Sequence, residues 1–172
     1  MTITTTATIQ ADLNWSQIDD QTLTHIADIG GVTTDNILTT GSGNSLCNML
    51  WHDVITLPSG GSYTINLQSL TRTIFSKTVG VGFENVKCVA VKNQDENIGA
   101  YLTVAASGAD GFLSIFDNAA GKAPCHPKCS IVFPNVITGW TVSATNRTIF
   151  LNDVGGSGVT VEVAIIGCSG SG

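Results

Sequence analysis

Apolar and polar residues alternate with a period of two over most of the second half of the chain. The cleanest run lies near the end, where Val159, Val161, Val163 and Ile165 alternate with Thr160, Glu162 and Ala164. A strand sends successive side chains to opposite faces, so the first set faces a core and the second faces outward. In residues 50–57, Trp51, Asp53, Ile55 and Leu57 fall on one side and His52, Val54 and Thr56 on the other. After Pro58-Ser59-Gly60-Gly61 the alternation resumes, with Tyr63, Ile65 and Leu67 set against Thr64, Asn66 and Gln68. Two alternating runs joined by a Pro/Gly turn predict a β-hairpin. Residues 73–81 predict a further strand. Residues 83–92 are apolar on both faces around Val86, Cys88, Val89 and Val91, the pattern of a strand in the middle of a sandwich.

Downstream, residues 93–97 form a polar tip, residues 101–105 and 112–116 read as short strands, and residues 117–130 read as a loop with two prolines. Strands follow at 131–133, 140–144 and 148–152. Ten or so short strands with turn signals every 8 to 12 residues are the signature of an all-β fold, an antiparallel β-sandwich or jelly roll. We assign it to residues 46–168, followed by a flexible Ser-Gly tail at 169–172. Residues 1–45 are expected to form an extended N-terminal arm and an irregular segment. Within them, Thr2, Ile3, Thr4, Thr5, Thr6, Ala7, Thr8 and Ile9 are β-branched and thinly apolar. Such a strand buries little by itself and suits an edge, or an arm that pairs with a neighbouring subunit. Residues 11–35 are mixed: the spacing of Trp15, Ile18, Leu23 and Ile26 loosely fits a short helix, Thr22 and Thr24 favour extended chain, and Gly30-Gly31 breaks either.

Composition narrows the function classes. Only 12% of the 172 residues are charged, about half the usual share, and 22 Thr and 14 Ser supply most of the polarity. Coiled coils need more charge, classical disorder pairs low hydrophobicity with high charge, and no apolar run is long enough for a membrane helix. A net charge of −6 with scattered bases (Arg72, Lys77, Lys87, Lys92, Lys122, Lys128, Arg147) disfavours nucleic acid and anionic membranes as partners. Met1 is followed by Thr-rich alternation without a basic start and apolar stretch, so synthesis and retention in a cytoplasm are expected. Five cysteines (Cys47, Cys88, Cys125, Cys129, Cys168) are then expected as free thiols, several of them buried in strands.

Candidate chemistry is sparse. Cys125-His126-Pro127-Lys128-Cys129 has thiolate and imidazole at a spacing that suits half a zinc site. The other half would have to come through the fold from Cys47, Cys88, Cys168, His25 or His52. A small-loop disulfide and two free thiols are the competing readings. No G-x-S-x-G elbow is present, and adjacent His52 and Asp53 face opposite sides of a strand, so they cannot act together in a relay. Most acids sit in turn segments, where Asp serves local backbone hydrogen bonds. Asn93, Asp95 and Asn97 resemble the start of a calcium loop, but Ile98 and Val104 stand where Gly and Glu are required. Phosphate-loop patterns are missing. Asn14-Trp15-Ser16 and Asn146-Arg147-Thr148 match the glycosylation pattern by coincidence in a chain without an export signal. Trp15, Trp51, Trp140 and Tyr101 could stack on sugars, but Trp51 and Trp140 belong to apolar faces and fit a core better. No catalytic residue and no cofactor is expected. Low charge with little lysine suits a surface held against other protein, because interface centres are depleted in Lys and Glu.

The last two-thirds of the chain carries LWHDVITLPSGGSYTINL, TVGVGFENVKCVAVKN, GFLSIF, GWTVSATNRTIFLND and, most distinctively, the closing GGSGVTVEVAIIGCSG. In these stretches it resembles small virion proteins of tailed bacteriophages. Residues 1–45 depart from that pattern, and the CHPKC loop looks like an insertion. The resemblance implies a non-enzymatic structural protein, most simply a decoration (cement) protein on the outer surface of the capsid. Its implied partners are the major capsid protein and itself, as a homotrimer. A neck, tail or fibre-attachment component, or a carbohydrate- or receptor-binding sandwich, are the alternatives.

Overall fold

The computed structural model describes residues 7–21, 24–74, 77–106, 108–118 and 120–169. Its strands, in chain order, begin with β1 (Ala7–Gln21), β2 (Thr24–Thr40), β3 (Leu46–Cys47), β4 (Met49–Leu57) and β5 (Ser62–Asn66). Next come β6 (Leu70–Ile74), β7 (Lys77–Val81), β8 (Asn85–Asn93), β9 (Leu102–Ala106) and β10 (Lys122–Cys125). The series closes with β11 (Ser130–Pro134), β12 (Trp140–Thr141), β13 (Thr148–Asp153) and β14 (Val159–Cys168). The chain is all-β, as its alternation predicts.

Two antiparallel sheets form the body. One has the order β11-β8-β14-β4, with β12 also pairing β8, and the other has the order β10-β9-β13-β5. Strands β4, β8, β11 and β14 belong to the first sheet, while β5, β9, β10 and β13 belong to the second. The chain therefore crosses repeatedly between the layers, and the two interleaved sets make a jelly roll. The predicted hairpin at residues 50–67 is corrected by this arrangement. Strand β4 pairs β14 and β5 pairs β13, so Pro58–Gly61 is an arch between sheets. Alternation plus a Pro/Gly turn is common to both geometries; the long-range pairing decides between them.

The inner faces meet in one core. Val159, Val161, Val163 and Ile165 of β14 and Val86, Val89 and Val91 of β8 pack against Ile65, Leu102, Val104, Ile149 and Leu151 of the other sheet. Trp51 is buried, and its indole N–H donates to the Thr71 carbonyl at 2.9 Å. Trp140 is half-buried and packs against the core. The two-faced apolarity of β8 has two causes. The register with β14 shifts between Ile166 and Gly167, which face Cys88 and Val86, so Lys87 is the extra residue of a bulge. That shift lets Val86 face the same core as Val89 and Val91. Cys88 faces the other way and is buried by Ile9 and Leu38.

Two local readings are corrected and one left open is decided. Residues 112–116 hold a 3-10 turn at Leu113–Ile115 instead of a strand, with Phe112 buried just before it. The expected loop 117–130 contains β10, whose Pro124 is tolerated because β10 is an edge strand of its sheet. Residues 11–35 hold no helix among the described residues. They belong to a two-stranded antiparallel ribbon, β1 on β2, whose register runs from Ala7 opposite Leu38 to Gln21 opposite Thr24. Thr and Ile favour that extended pairing over a helix. The ribbon joins the rest of the chain through β2, whose end pairs in parallel with β3.

Two arches lock one end of the sandwich. Asp153 is buried, and its carboxylate accepts the backbone N–H of Gly60 at 2.9 Å, Gly158 at 2.9 Å and Gly156 at 3.1 Å. Gly60, Gly156 and Gly158 all have φ between 64° and 76°, which disfavours residues with a Cβ. Ser59 Oγ donates to the Gly156 carbonyl across the same junction. At the opposite end, Lys87 Nζ and the Ser45 N–H both donate to the Ile137 carbonyl, at 2.7 and 3.0 Å. One carbonyl thus ties the ribbon's exit, the bulge of β8 and the β11–β12 loop together.

Candidate interaction surface

The Cys125–Cys129 loop does not assemble a metal site. Cys125 ends β10, is buried, and directs its thiol to the carbonyls of Val91 and Cys129, at 3.9 and 3.4 Å. His126 is exposed and stacks on Tyr101 with ring centroids 5.6 Å apart. Cys129 is exposed and turns back through its N–H to the His126 carbonyl. Two of the three candidate ligands are thus engaged elsewhere, Cys125 with backbone carbonyls and His126 with Tyr101. Among the described residues no group of three or more His, Cys, Asp or Glu side chains is arranged to hold a metal ion. Asn93, the first residue of the calcium-like stretch, is spent inside the fold: its amide donates to the carbonyls of Ala100 and Cys125.

All five cysteines are free thiols, and only Cys129 is exposed. Burial pushes the Cys88 thiol up to about 11, and burial likewise raises Cys47, Cys125 and Cys168. A thiolate is the reactive form. Native protein treated with a thiol reagent at neutral pH is thus expected to show one fast equivalent, lost in Cys129→Ser, and four slow ones. Two or more fast equivalents would contradict this burial.

The candidate interface residues of the N terminus divide. Thr2, Ile3, Thr4, Thr5 and Thr6 lie outside the described residues. Ala7, Thr8 and Ile9 open β1 and pair with Leu38, Ile37 and Asn36 of the same chain. Ile9 is buried with Leu38, Cys47 and Cys88, while Thr8 is exposed. Of the two expected placements, these three residues take the edge: they open the outer strand of a ribbon whose base rests on the sandwich.

What that base rests on was only partly legible. The outward face of the β11-β8-β14-β4 sheet is unusually apolar. In register, Val132, Ala90, Ala164 and His52 form one row across the four strands. Pro134, Cys88, Ile166 and Leu50 form the row nearer the ribbon base, and Ser130, Lys92, Glu162 and Val54 the row beyond. Leu50, Val54 and Val132 are 39%, 49% and 42% exposed, far above what core residues show. Two shallow depressions lie side by side on it and share Ala90, Val132 and Ala164: one reaches Thr8 and Ile9, the other Lys92 and Glu162. Ala164 and Ile166 at outward positions of β14 were the available sequence signal; strictly alternating polar residues would have marked a solvated face.

The polar part of this face is organised around Glu162. Its carboxylate accepts from His52 Nε2 at 2.9 Å and from Gln94 Nε2 at 3.1 Å. Those two hydrogen bonds, with the nearby charge of Lys92, hold it below the usual carboxylate range. His52 and Asp53 face opposite sides as expected. This is a hydrogen-bonded cluster on an open sheet face.

No protein-family model matches the chain, and no curated protein matches it.

Proposed function

We propose that this protein is a structural virion component of a tailed phage, a decoration protein that sits on the outside of the capsid and bridges neighbouring subunits. The observation that carries the reading is the β1–β2 ribbon attached to a jelly roll. The ribbon has fifteen paired positions, whereas the longest body strand, β14, has 10 residues. At about 3.4 Å per residue it spans roughly 50 Å, longer than any strand of the body it leaves. A two-stranded ribbon is marginally stable alone in water and gains stability by covering another surface. The low charge, the apolar outward sheet face and the resemblance of the last two-thirds to small phage virion proteins support the same reading. In it the protein performs no reaction; its partners are the major capsid protein and other copies of itself, and its place is the particle surface.

The test uses particles lacking this protein. Purified full-length protein is added back, bound protein is measured after sedimentation, and head integrity is followed on heating. Saturable binding with restored heat resistance is expected. Failure to bind the heads would overturn the capsid assignment.

A further inference from the structure

We infer that β5 is an interface strand, whose open edge pairs antiparallel with β5 of a second copy of this chain about a twofold axis at Thr64. β5 (Ser62–Asn66) ends the β10-β9-β13-β5 sheet, and among the described residues no strand pairs it on its outer side. The register fixes which groups face outward there. Leu67 N–H donates to the Arg147 carbonyl and Asp153 N–H to the Gly61 carbonyl, each at 2.9 Å and both in the register of β5 on β13. Along an antiparallel strand, residues that bond one neighbour alternate with residues whose N–H and C=O point the other way. Gly61, Tyr63, Ile65 and Leu67 therefore face β13, and Ser62, Thr64 and Asn66 turn their backbone groups to the open edge. The Asn66 carbonyl also accepts the Ser69 N–H at 3.1 Å, and a carbonyl has a second lone pair to offer.

An exposed strand edge is a template for another chain, and proteins guard such edges with Pro, Lys, inward-pointing charges or a covering segment. Each of the other three edges of the body carries such a guard. β10 has Lys122 and Pro124, and β11 ends in Pro134. β4 has Asp53 on the side of its sheet that bears Trp51 and Ile55. The β4 edge is also tied to β6, where Arg72 Nη1 donates to the Leu50 carbonyl and Trp51 Nε1 to the Thr71 carbonyl, each at 2.9 Å. β5 reads Ser-Tyr-Thr-Ile-Asn, with no Pro and no charge.

Self-complementarity selects the occupant. Positions across a twofold interface pair reciprocally. With Thr64 on the axis, Thr64 lies opposite its own copy and Ser62 opposite Asn66 of the copy. The residues with open backbone groups thus meet one another as hydrogen-bonded pairs. In the same register Tyr63 lies opposite Ile65 of the copy. Thr–Thr and aromatic–β-branched pairs are among the favourable cross-strand pairs. Tyr63 is 42% exposed although Ile65, on the same face, is buried, so the pairing covers ring surface that a single copy leaves open. No charge on the strand opposes the approach of two identical edges. The product is one sheet ordered β10-β9-β13-β5-β5-β13-β9-β10, half from each copy. Such an isologous contact closes at two copies, so a dimer is expected in place of the homotrimer that the resemblance implies.

The inference deepens the self-partnership within the proposed function, and its test needs no capsid. The experiment measures the solution mass of the full-length chain by light scattering from about 1 μM to about 1 mM, since a contact of this size is at the weak end of specific interfaces. The apparent mass of wild type is expected to double across the series. Thr64→Lys sets two like charges opposite each other, and Thr64→Pro removes the outward N–H without touching the bonds to β13. Both are expected to stay monomeric where wild type is dimeric. Thr64 is exposed, so Thr64→Lys guards against a folding failure in Thr64→Pro; circular dichroism and a cooperative melt confirm the fold of each. Single cysteines in a Cys129→Ser background, treated with oxidised glutathione, read the register. Thr64→Cys is expected to give a disulfide-linked dimer, because opposite residues lie about 5.5 Å apart. Ser62→Cys is not, because the two copies of that position lie roughly 14 Å apart. A wild-type monomer throughout the series, a trimer, a dimer that survives Thr64→Lys, or crosslinking no greater at Thr64 than at Ser62 would each overturn the proposal. A dimer of this kind that does not bind heads would leave this inference standing and remove the capsid reading, and a monomer that binds heads would do the reverse.

Discussion

Asp153→Ala is expected to lower stability by about 2–4 kcal/mol, because it orphans several N–H donors that a buried carboxylate now satisfies. In a domain of this size that corresponds to a fall of roughly 5–15 °C in the melting temperature. Burial alone pushes the Asp153 carboxyl upward, but the N–H groups of Gly60, Gly158, Gly156 and Gly155 outweigh it and hold the acid below its ordinary value. A depressed folded-state pKa contributes stability that is present above the unfolded-state value and is lost as pH falls through the folded-state value. The gap between wild type and Asp153→Ala should therefore be widest near neutrality and shrink below about pH 4, the ordinary carboxylate range. Asp153→Asn keeps an acceptor and should lose less. Thermal melts of the three proteins at pH 7 and pH 3 check both claims, and equal melting temperatures at pH 7 would show that the two arches hold without the carboxylate.

Phe112→Ala is expected to cost about 3–5 kcal/mol, the range for emptying a buried aromatic site. Phe112 is fully buried and meets Trp140 edge-to-face, with ring centroids 6.4 Å apart and planes at 86°. Its N–H donates to the Thr148 carbonyl at 2.7 Å, which ties the 3-10 turn to β13. The backbone is thus held in place and the site can collapse only partly. Phe112→Leu keeps most of the volume and should cost less than about 1.5 kcal/mol. Denaturant unfolding measures the two values. A loss below about 1 kcal/mol for Phe112→Ala would mean that the site repacks, contrary to its place in the core.

The parts of the fold legible in the sequence were those decided locally. Alternation in residues 159–165 gave the inward residues of β14 directly, because one side of that strand faces the core along its whole length. Trp51 was placed in the core for the same reason. The parts that were not legible depend on partners far away in the chain. Nothing around Pro58 distinguishes a hairpin from an arch; Asp153, more than 90 residues later, grips Gly60 and goes with the arch. The apolar run at 86–91 marks a strand covered on both faces, as β8 is, but the bulge at Lys87 and the cap from Ile9 and Leu38 that cover it have no local signal. Residues 11–35 mix polar and apolar positions at no clean period, so their pairing as β1 on β2 has no local signal. The apolar outward face of the β11-β8-β14-β4 sheet was half visible. Ala164 and Ile166 could be seen at outward positions, but their alignment with Ala90, Cys88 and Val132 exists only once three strands are in register.

The central claim is that this jelly roll is a repeated building block on a phage head, and the number of copies per particle tests it most directly. Quantitative mass spectrometry of purified particles, referenced to the major capsid protein, is predicted to give hundreds of copies, in a fixed simple ratio to that protein. A few to a few dozen copies would move the protein to the neck, tail or fibres, and absence from intact particles would contradict a structural role in the virion altogether.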